Sequence, residues 1–177
     1  MKGAEKSAAA MGQAIVPHLP MIWRFALSLS RKRDVADDLV QATCVRAIEK
    51  HHQFDGTGRL EAWCLTICRS IWLNQVRGQA VRAASAIDTV PEAELRAIIP
   101  DQESNIFAAE VLSQVMKLPL AQREVVFLVY VEGFRYSEAA QMLDIPIGTV
   151  MSRLAAVRGK LKWMQNESAQ AQQKGEA

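Results

Sequence analysis

Between Gly148 and Arg158 the chain gathers the side chains of a nucleic-acid contact rather than those of a reaction centre. Arg153 and Arg158 suit a phosphate or the acceptor edge of guanine, and Ser152 can bond to a base or to a phosphate. Met151, Ala155 and Ala156 add apolar surface, and Met151 and Ala155 could pack against thymine methyl groups. The backbone N–H groups of Gly148 and Thr149, together with Arg135 and Tyr136, offer anchors for phosphate. Tyr136 serves equally well as a packing residue beneath the motif, since tyrosine is often partly buried. A second set of reactive types is Cys44, Cys64 and Cys68, with His51 or His52 as further ligand types. Cys64 and Cys68 stand one helical turn apart, the spacing of two metal ligands or of a thiol pair. Free cysteines commonly pack as small apolar residues, so no metal site and no cofactor is expected.

The contact residues need a scaffold, and the stretch from Phe134 to Arg158 reads as two short helices around a tight turn. Tyr136 and Ser137 open the first helix, with Ser137 placed to cap free N–H groups, and Ala139, Ala140 and Leu143 give it a narrow inner face. Asp144 tolerates the backbone of the turn, Ile145 fills the space beneath it, and Pro146 stops the helix from continuing. In the second helix Val150, Leu154 and Val157 face inward, which leaves the contact residues outside. Such a pair is a helix-turn-helix, whose second helix enters a major groove N-terminus first.

The whole chain has 177 residues and a net charge of +2, with half of its residues hydrophobic, the composition of an ordinary soluble protein of one or two domains. So small a charge does not itself demand nucleic acid, but Arg69, Arg77, Arg82 and Arg153, Arg158, Lys160, Lys162 form local basic stretches. No apolar run is long enough to span a bilayer and the first residues lack a secretory apolar core, so a cytoplasmic protein is expected. Three cysteines do not make a disulfide framework.

The remaining pattern is helical throughout. Helices are expected over Pro20 to Ser30, Asp34 to His51 and Leu60 to Val81, then Asn105 to Lys117 and Ala121 to Glu132, with Gly133 ending the last. Leu60, Trp63, Ile67 and Ile71 form an inward stripe at helical spacing, which favours a core role for Trp63. The apolar run Phe127 to Val131 is explained by burial against the helix-turn-helix. The expected organisation is all-α: a flexible N-terminus (1–14), a three-to-four-helix domain (15–82), a linker (83–104), a second helical domain (105–164) and a disordered tail (165–177).

Four segments carry a family resemblance: Asp34 to Ala47 with its Asp-Leu-Val-Gln core, Leu60 to Arg69, Leu118 to Glu124, and Ile145 to Leu154. In that order and spacing they resemble the extracytoplasmic-function group of bacterial RNA polymerase sigma factors, the minimal type that keeps only domains two and four. The resemblance spans nearly everything from Ile22 to Lys162. It implies a protein without catalysis of its own that docks on core RNA polymerase, directs it to promoter DNA and helps to open the duplex. It also implies control by an anti-sigma factor in a stress or envelope response, with no membrane insertion and no obligate homo-oligomer.

Carried onto this chain, the resemblance places core-polymerase contacts at Asp37, Asp38, Leu39, Gln41 and Arg46, with Ala42 where relatives usually have Glu. It places the minus-ten reader in the loop Gln53 to Gly58 and the helix after it. Phe54, Arg59, Trp63, Arg69, Asn74 and Arg77 are the available groups: aromatics to stack on an unstacked base, arginines for phosphate, and an amide for a base edge. Glu61 replaces a frequent base and Ser70 a frequent Asn, so the minus-ten preference is this chain's own. The minus-thirty-five reader is the second helix of the helix-turn-helix, less basic than usual because Met151 and Ala156 stand where relatives often carry cations. Two other classes compete: a stand-alone helix-turn-helix regulator, which leaves the Asp-Leu-Val-Gln helix without a role, and a thiol or metal sensor built on the cysteines.

Overall fold

The computed structural model describes residues 7–80 and 113–159. The expected linker, the expected tail, Arg82, Lys160 and Lys162 lie outside the described residues. The chain divides into two compact units, Met1–Ala109 and Glu110–Ala177.

In the first unit the chain folds earlier than expected. Ser7 accepts the N–H of Ala10 at 3.2 Å and so caps α1, Ala8–Ile15. Met11 and Ile15 of this helix are buried. The expectation of a flexible N-terminus over 1–14 is therefore wrong for residues 8–14, because two apolar side chains one turn apart find a surface on α3.

A short 3₁₀ turn, Val16–His18, leads into α2, Leu19–Ser30, with Pro20 in its first turn where the missing N–H costs nothing. Arg31 ends α2 in the left-handed conformation, φ 60°, and its N–H bonds to Leu27 O at 2.9 Å. From there α3 runs Arg33–Glu49 and α4 runs Leu60–Ala80, joined by the 3₁₀ turn His51–Gln53 and a glycine-containing loop. Helices α2, α3 and α4 pack on one another around Ile22, Phe25, Leu27, Leu29, Ala36, Leu39, Ala47, Cys64, Leu65 and Cys68. Thr43, the polar member of this core on α3, is satisfied by its own helix: its hydroxyl donates to Leu39 O at 2.6 Å.

Among the described residues of the second unit the first helix is α5, residues 113–117, followed by α6, Leu120–Val126, which begins after Pro119. Arg123 is only 3% exposed, and its Nη1 donates to Met116 O (3.3 Å) and Leu118 O (2.9 Å). It thereby binds the carbonyls that the end of α5 leaves open. Beyond Val126 the coil widens into a π-helical turn, Phe127–Val131, closed by a bond from Glu132 N–H to Phe127 O at 3.0 Å. Gly133, φ 70°, reverses the chain there. Burial of the apolar run is only half right: Phe127 and Leu128 are in the core, whereas Tyr130 is 53% and Val131 39% exposed.

Helix α7, Tyr136–Leu143, and helix α8, residues 147–159, form the helix-turn-helix. Ser137 is not its cap. Arg135 occupies the N-cap position, and Glu138 reaches back to accept the Arg135 N–H at 2.7 Å. Asp144 takes the left-handed conformation, φ 53°, and Ile145 N–H bonds to Ala140 O at 3.0 Å to close the turn. Ala139, Leu143, Val150, Leu154 and Val157 are buried, as the spacing predicts.

Candidate polymerase and nucleic-acid interfaces

On α3 the aspartates of the N-terminal half and Arg46 of the C-terminal half face different surroundings. Asp37, Asp38 and Gln41 are exposed, and Asp37 Oδ1 accepts the indole N–H of Trp23 at 2.7 Å. Arg33 lies over the same indole, 5.8 Å from its centroid, so Trp23 joins a cation and a carboxylate of α3 to α2. Leu39 is fully buried, which removes it from any contact surface. Its adjacency to Asp38 in the motif does not place the two on one face, because neighbours on a helix point about 100° apart. The role of Leu39 is to hold α3 in the core.

Arg46 is exposed on the C-terminal half of α3, where it lines a cleft of about 530 Å³ against α4. Trp63, Thr66, Ile67, Ser70, Ile71, Asn74 and Gln75 form the α4 wall, and Lys50 and Gln53, just past the end of α3, complete the other side. Trp63 is half-buried rather than core. The inward stripe of α4 is Cys64, Leu65 and Cys68, and the stripe Leu60, Trp63, Ile67, Ile71 lies at its half-exposed edge. Phe54 packs beside Trp63 with ring centroids 5.3 Å apart and planes tilted by 34°. The cleft therefore has an aromatic wall at one end and hydroxyl and amide groups along its length.

Three of the expected minus-ten arginines are not among its lining. Arg59 is exposed and its Nε donates to Glu61 Oε1 at 2.7 Å. Burial raises the Glu61 pKa, but bonds from its own backbone N–H and from Arg59 outweigh this and hold the carboxyl below its ordinary range. Arg69 is half-buried and Arg77 exposed. The cleft takes in Gln53 at the start of the expected reading loop, and also Lys50, Thr66 and Gln75, which the sequence reading passes over; the signal for Lys50 is its four-residue spacing from Arg46, matched by that of Trp63 and Ile67 on the facing helix.

Cys64 and Cys68 belong to the core, and Cys44 is half-buried. Burial pushes the Cys64 thiol up to about 12, helped by Cys44, Glu61 and Cys68 nearby. Burial likewise raises Cys68 to about 12, partly offset by its interaction with the Thr43 side chain, and raises Cys44. Thiols held protonated are poor nucleophiles and poor ligands.

In the second unit Met151, Ser152, Ala155, Ala156 and Arg158 are exposed along α8, and Met151 is 48% exposed. Arg153 is half-buried, and its Nη1 reaches Ala121 O on α6 at 3.4 Å. Ser152 Oγ donates to Thr149 O at 3.0 Å. Thr149 N–H donates to Pro146 O at 2.8 Å, so that amide is already committed to the helix start. Gly148 and Arg135 are exposed and Tyr136 is half-buried.

Two helical units, one carrying an exposed reading helix on a helix-turn-helix, define a DNA-binding protein of transcription. Among the described residues no helix is long and apolar enough to cross a membrane. Residues 14–82 match the family model for Sigma-70 region 2, and residues 108–161 match that for Sigma-70, region 4. The chain is 34% identical over 147 residues to the ECF RNA polymerase sigma factor EcfG of Rhodopseudomonas palustris, covering 83% of this chain and 80% of that protein. It is 27% identical to the ECF RNA polymerase sigma factor SigM of Bacillus subtilis, over 82% of this chain and 88% of the other. Among solved structures, the sigma factor RpoE of Bartonella quintana, in complex with the anti-sigma factor NepR, superposes with a TM-score of 0.71 at 32% identity, covering 87% of this chain and 95% of that one. CnrH in complex with the cytosolic domain of CnrY superposes with a TM-score of 0.62 at 26% identity, covering 90% and 89%.

The chain belongs to the extracytoplasmic-function family of RNA polymerase sigma factors. It is accordingly a non-catalytic initiation factor, and its two units are the sigma region 2 and region 4 bundles.

Proposed function

We propose that the first unit, taken as 15–82, docks on core RNA polymerase through Asp38 and Gln41 and reads an opened minus-ten element in the α3–α4 cleft. The second unit, taken as 105–164, reads the minus-thirty-five element with α8, Arg158 on phosphate and Met151, Ser152, Ala155 and Ala156 toward base edges. The observation that carries this reading is the cleft itself. Trp63 beside Phe54 supplies a stacking surface for a base that has left the duplex, and Ser70 and Asn74 supply its hydrogen-bond partners. A stand-alone regulator has no use for either the cleft or the acidic α3 face.

Control by an anti-sigma factor in the cytoplasm is part of the same reading. It is supported by the two superposed relatives, one solved with an anti-sigma factor and the other with a partner's cytosolic domain. The test is transcription from purified core polymerase plus this protein on a genomic template pool. Defined start sites sharing two upstream elements are expected, and an absence of any start dependent on this chain overturns the proposal.

A further inference from the structure

Helix α8 leaves an apolar flank toward solvent. Ile147 is 45% and Met151 48% exposed, and Ala155 is exposed one turn further on. Residues four apart on a helix lie one above the other, so the three make a continuous stripe, with exposed Arg158 at its C-terminal end. Val150, Leu154 and Val157, buried on the other side, fix which way this flank points. Gly148, the neighbour of Met151 and Ser152 one turn back, adds a second observation. It does not take a positive φ, and a Cβ placed on it would meet no described atom within 4 Å. Glycine weakens a helix relative to alanine, and neither the backbone nor the packing of the described residues asks for it here. In open space on an exposed face, it lets an outside surface approach the backbone closely.

From this we infer that α8 reads the C5-methyl groups of thymine, with Ile147 and Met151 as the side chains that choose the site. The inference rests on the minus-thirty-five reading above and deepens it by naming the base. In the major groove guanine, adenine and cytosine are marked by hydrogen-bonding groups, and thymine alone adds a methyl. Ile147 has no hydrogen-bonding group and Met151 only a weakly accepting sulfur. Pressed on a polar base edge, such side chains strip it of water without replacing the bond, whereas against a methyl they bury apolar surface. The two residues are about 6 Å apart along the helix axis, and base pairs are about 3.4 Å apart along the duplex, so the pair spans about two base-pair steps. Gly148 and Ala155 keep the helix close to the base edges, Ser152 is left for a polar edge beside the methyls, and Arg158 holds phosphate without choosing sequence. The apolar flank thereby supplies selection where the helix carries no cation at Met151 and Ala155.

The test uses the full chain, alone and assembled with core polymerase, on duplexes enriched from a pool whose randomised core is about 10 base pairs, one duplex turn. The enriched duplex is remade with deoxyuridine for each thymine in turn, which removes the C5-methyl and nothing else. Wild type should lose about four-fold in affinity at each of two thymines, the effect of one buried methyl, with the two lying about two base-pair steps apart. Met151→Ala should abolish the difference between thymine and deoxyuridine at one of these positions, and Ile147→Ala at the other. Arg158→Ala should weaken both duplexes alike and keep the difference. Thermal unfolding confirms that these variants of exposed residues fold. Gly148→Ala should melt no lower than wild type and bind the enriched duplex more weakly. Wild-type binding that ignores the methyl at every thymine overturns the inference and leaves the minus-thirty-five reading standing, and so does a methyl effect that survives both Met151→Ala and Ile147→Ala. Unchanged binding by Gly148→Ala denies the close approach and counts against the inference in the same way. A pool from which neither form enriches any sequence overturns the minus-thirty-five reading and the inference together.

Discussion

The indole N–H of Trp23 donates to Asp37 Oδ1 across 2.7 Å and so ties the acidic face of α3 to α2. Because the bond spans two helices, it fixes where that face points as well as holding the pair together. Asp37→Ala should cost about 0.5–1.5 kcal/mol, the range for one hydrogen bond, and move the Trp23 emission toward that of a wetter indole. Fluorescence-detected urea unfolding follows both, and Trp23→Phe should cost a similar amount while abolishing the Asp37-dependent shift against the emission of the other three tryptophans.

Leu39 and Asp38 are adjacent, yet they answer to different forces. Leu39→Ala opens the core and should destabilise the first unit by about 2–5 kcal/mol. Asp38→Ala and Gln41→Ala should leave its melting temperature nearly unchanged and weaken assembly with core polymerase. Thermal unfolding combined with a polymerase pull-down separates the two patterns.

The buried thiols predict a pH dependence. Folding raises Cys64 and Cys68 to about 12 from the ordinary thiol value. Above that ordinary value the unfolded chain releases thiol protons that the folded chain retains, so stability falls as pH rises toward 12. The slope should reach about 1.4 kcal/mol per pH unit for each thiol. The pair Cys64→Ala and Cys68→Ala should flatten the decline in denaturant melts between about pH 9 and 11, and native wild type should alkylate at these two positions only on unfolding.

Arg153 and Arg158 should separate in the same manner. Arg153 bonds across to Ala121, so Arg153→Ala should lower the stability of the second unit by up to about 1 kcal/mol. Arg158→Ala should leave stability alone and cut the salt slope of duplex binding by about 0.9, the value for one phosphate contact. Equal effects of the two substitutions on both measurements would contradict this division.

Much of this was legible because two helical faces leave different marks. The spacing of Val150, Leu154 and Val157 marks the inner side of α8, and Asp144 before Ile-Pro marks the turn where the structure has its left-handed residue. What was not legible depended on contacts across helices. Cys64, Leu65 and Cys68 outcompete Trp63 for the core because of where α2 and α3 lie, and no spacing within α4 ranks the two stripes. Ser137 has the residue type of a cap, but Glu138 one position later closes the helix from inside it. The cleft could not be read at all from one helix, since Arg46 and Lys50 meet Trp63 and Asn74 only after the loop folds back.

The π-helical turn at Phe127–Val131 holds one residue more than an α-turn would. Every position after it is rotated by about 100° from where a continuous α-helix would set it. The turn is thus the place in this bundle with a residue to spare: a single deletion there has a regular coil to relax into. A homologue one residue shorter at this point would present Val131 and Glu132 on new sides of the helix. It could still feed Gly133 and the reading pair beyond it without breaking a hydrogen-bond ladder.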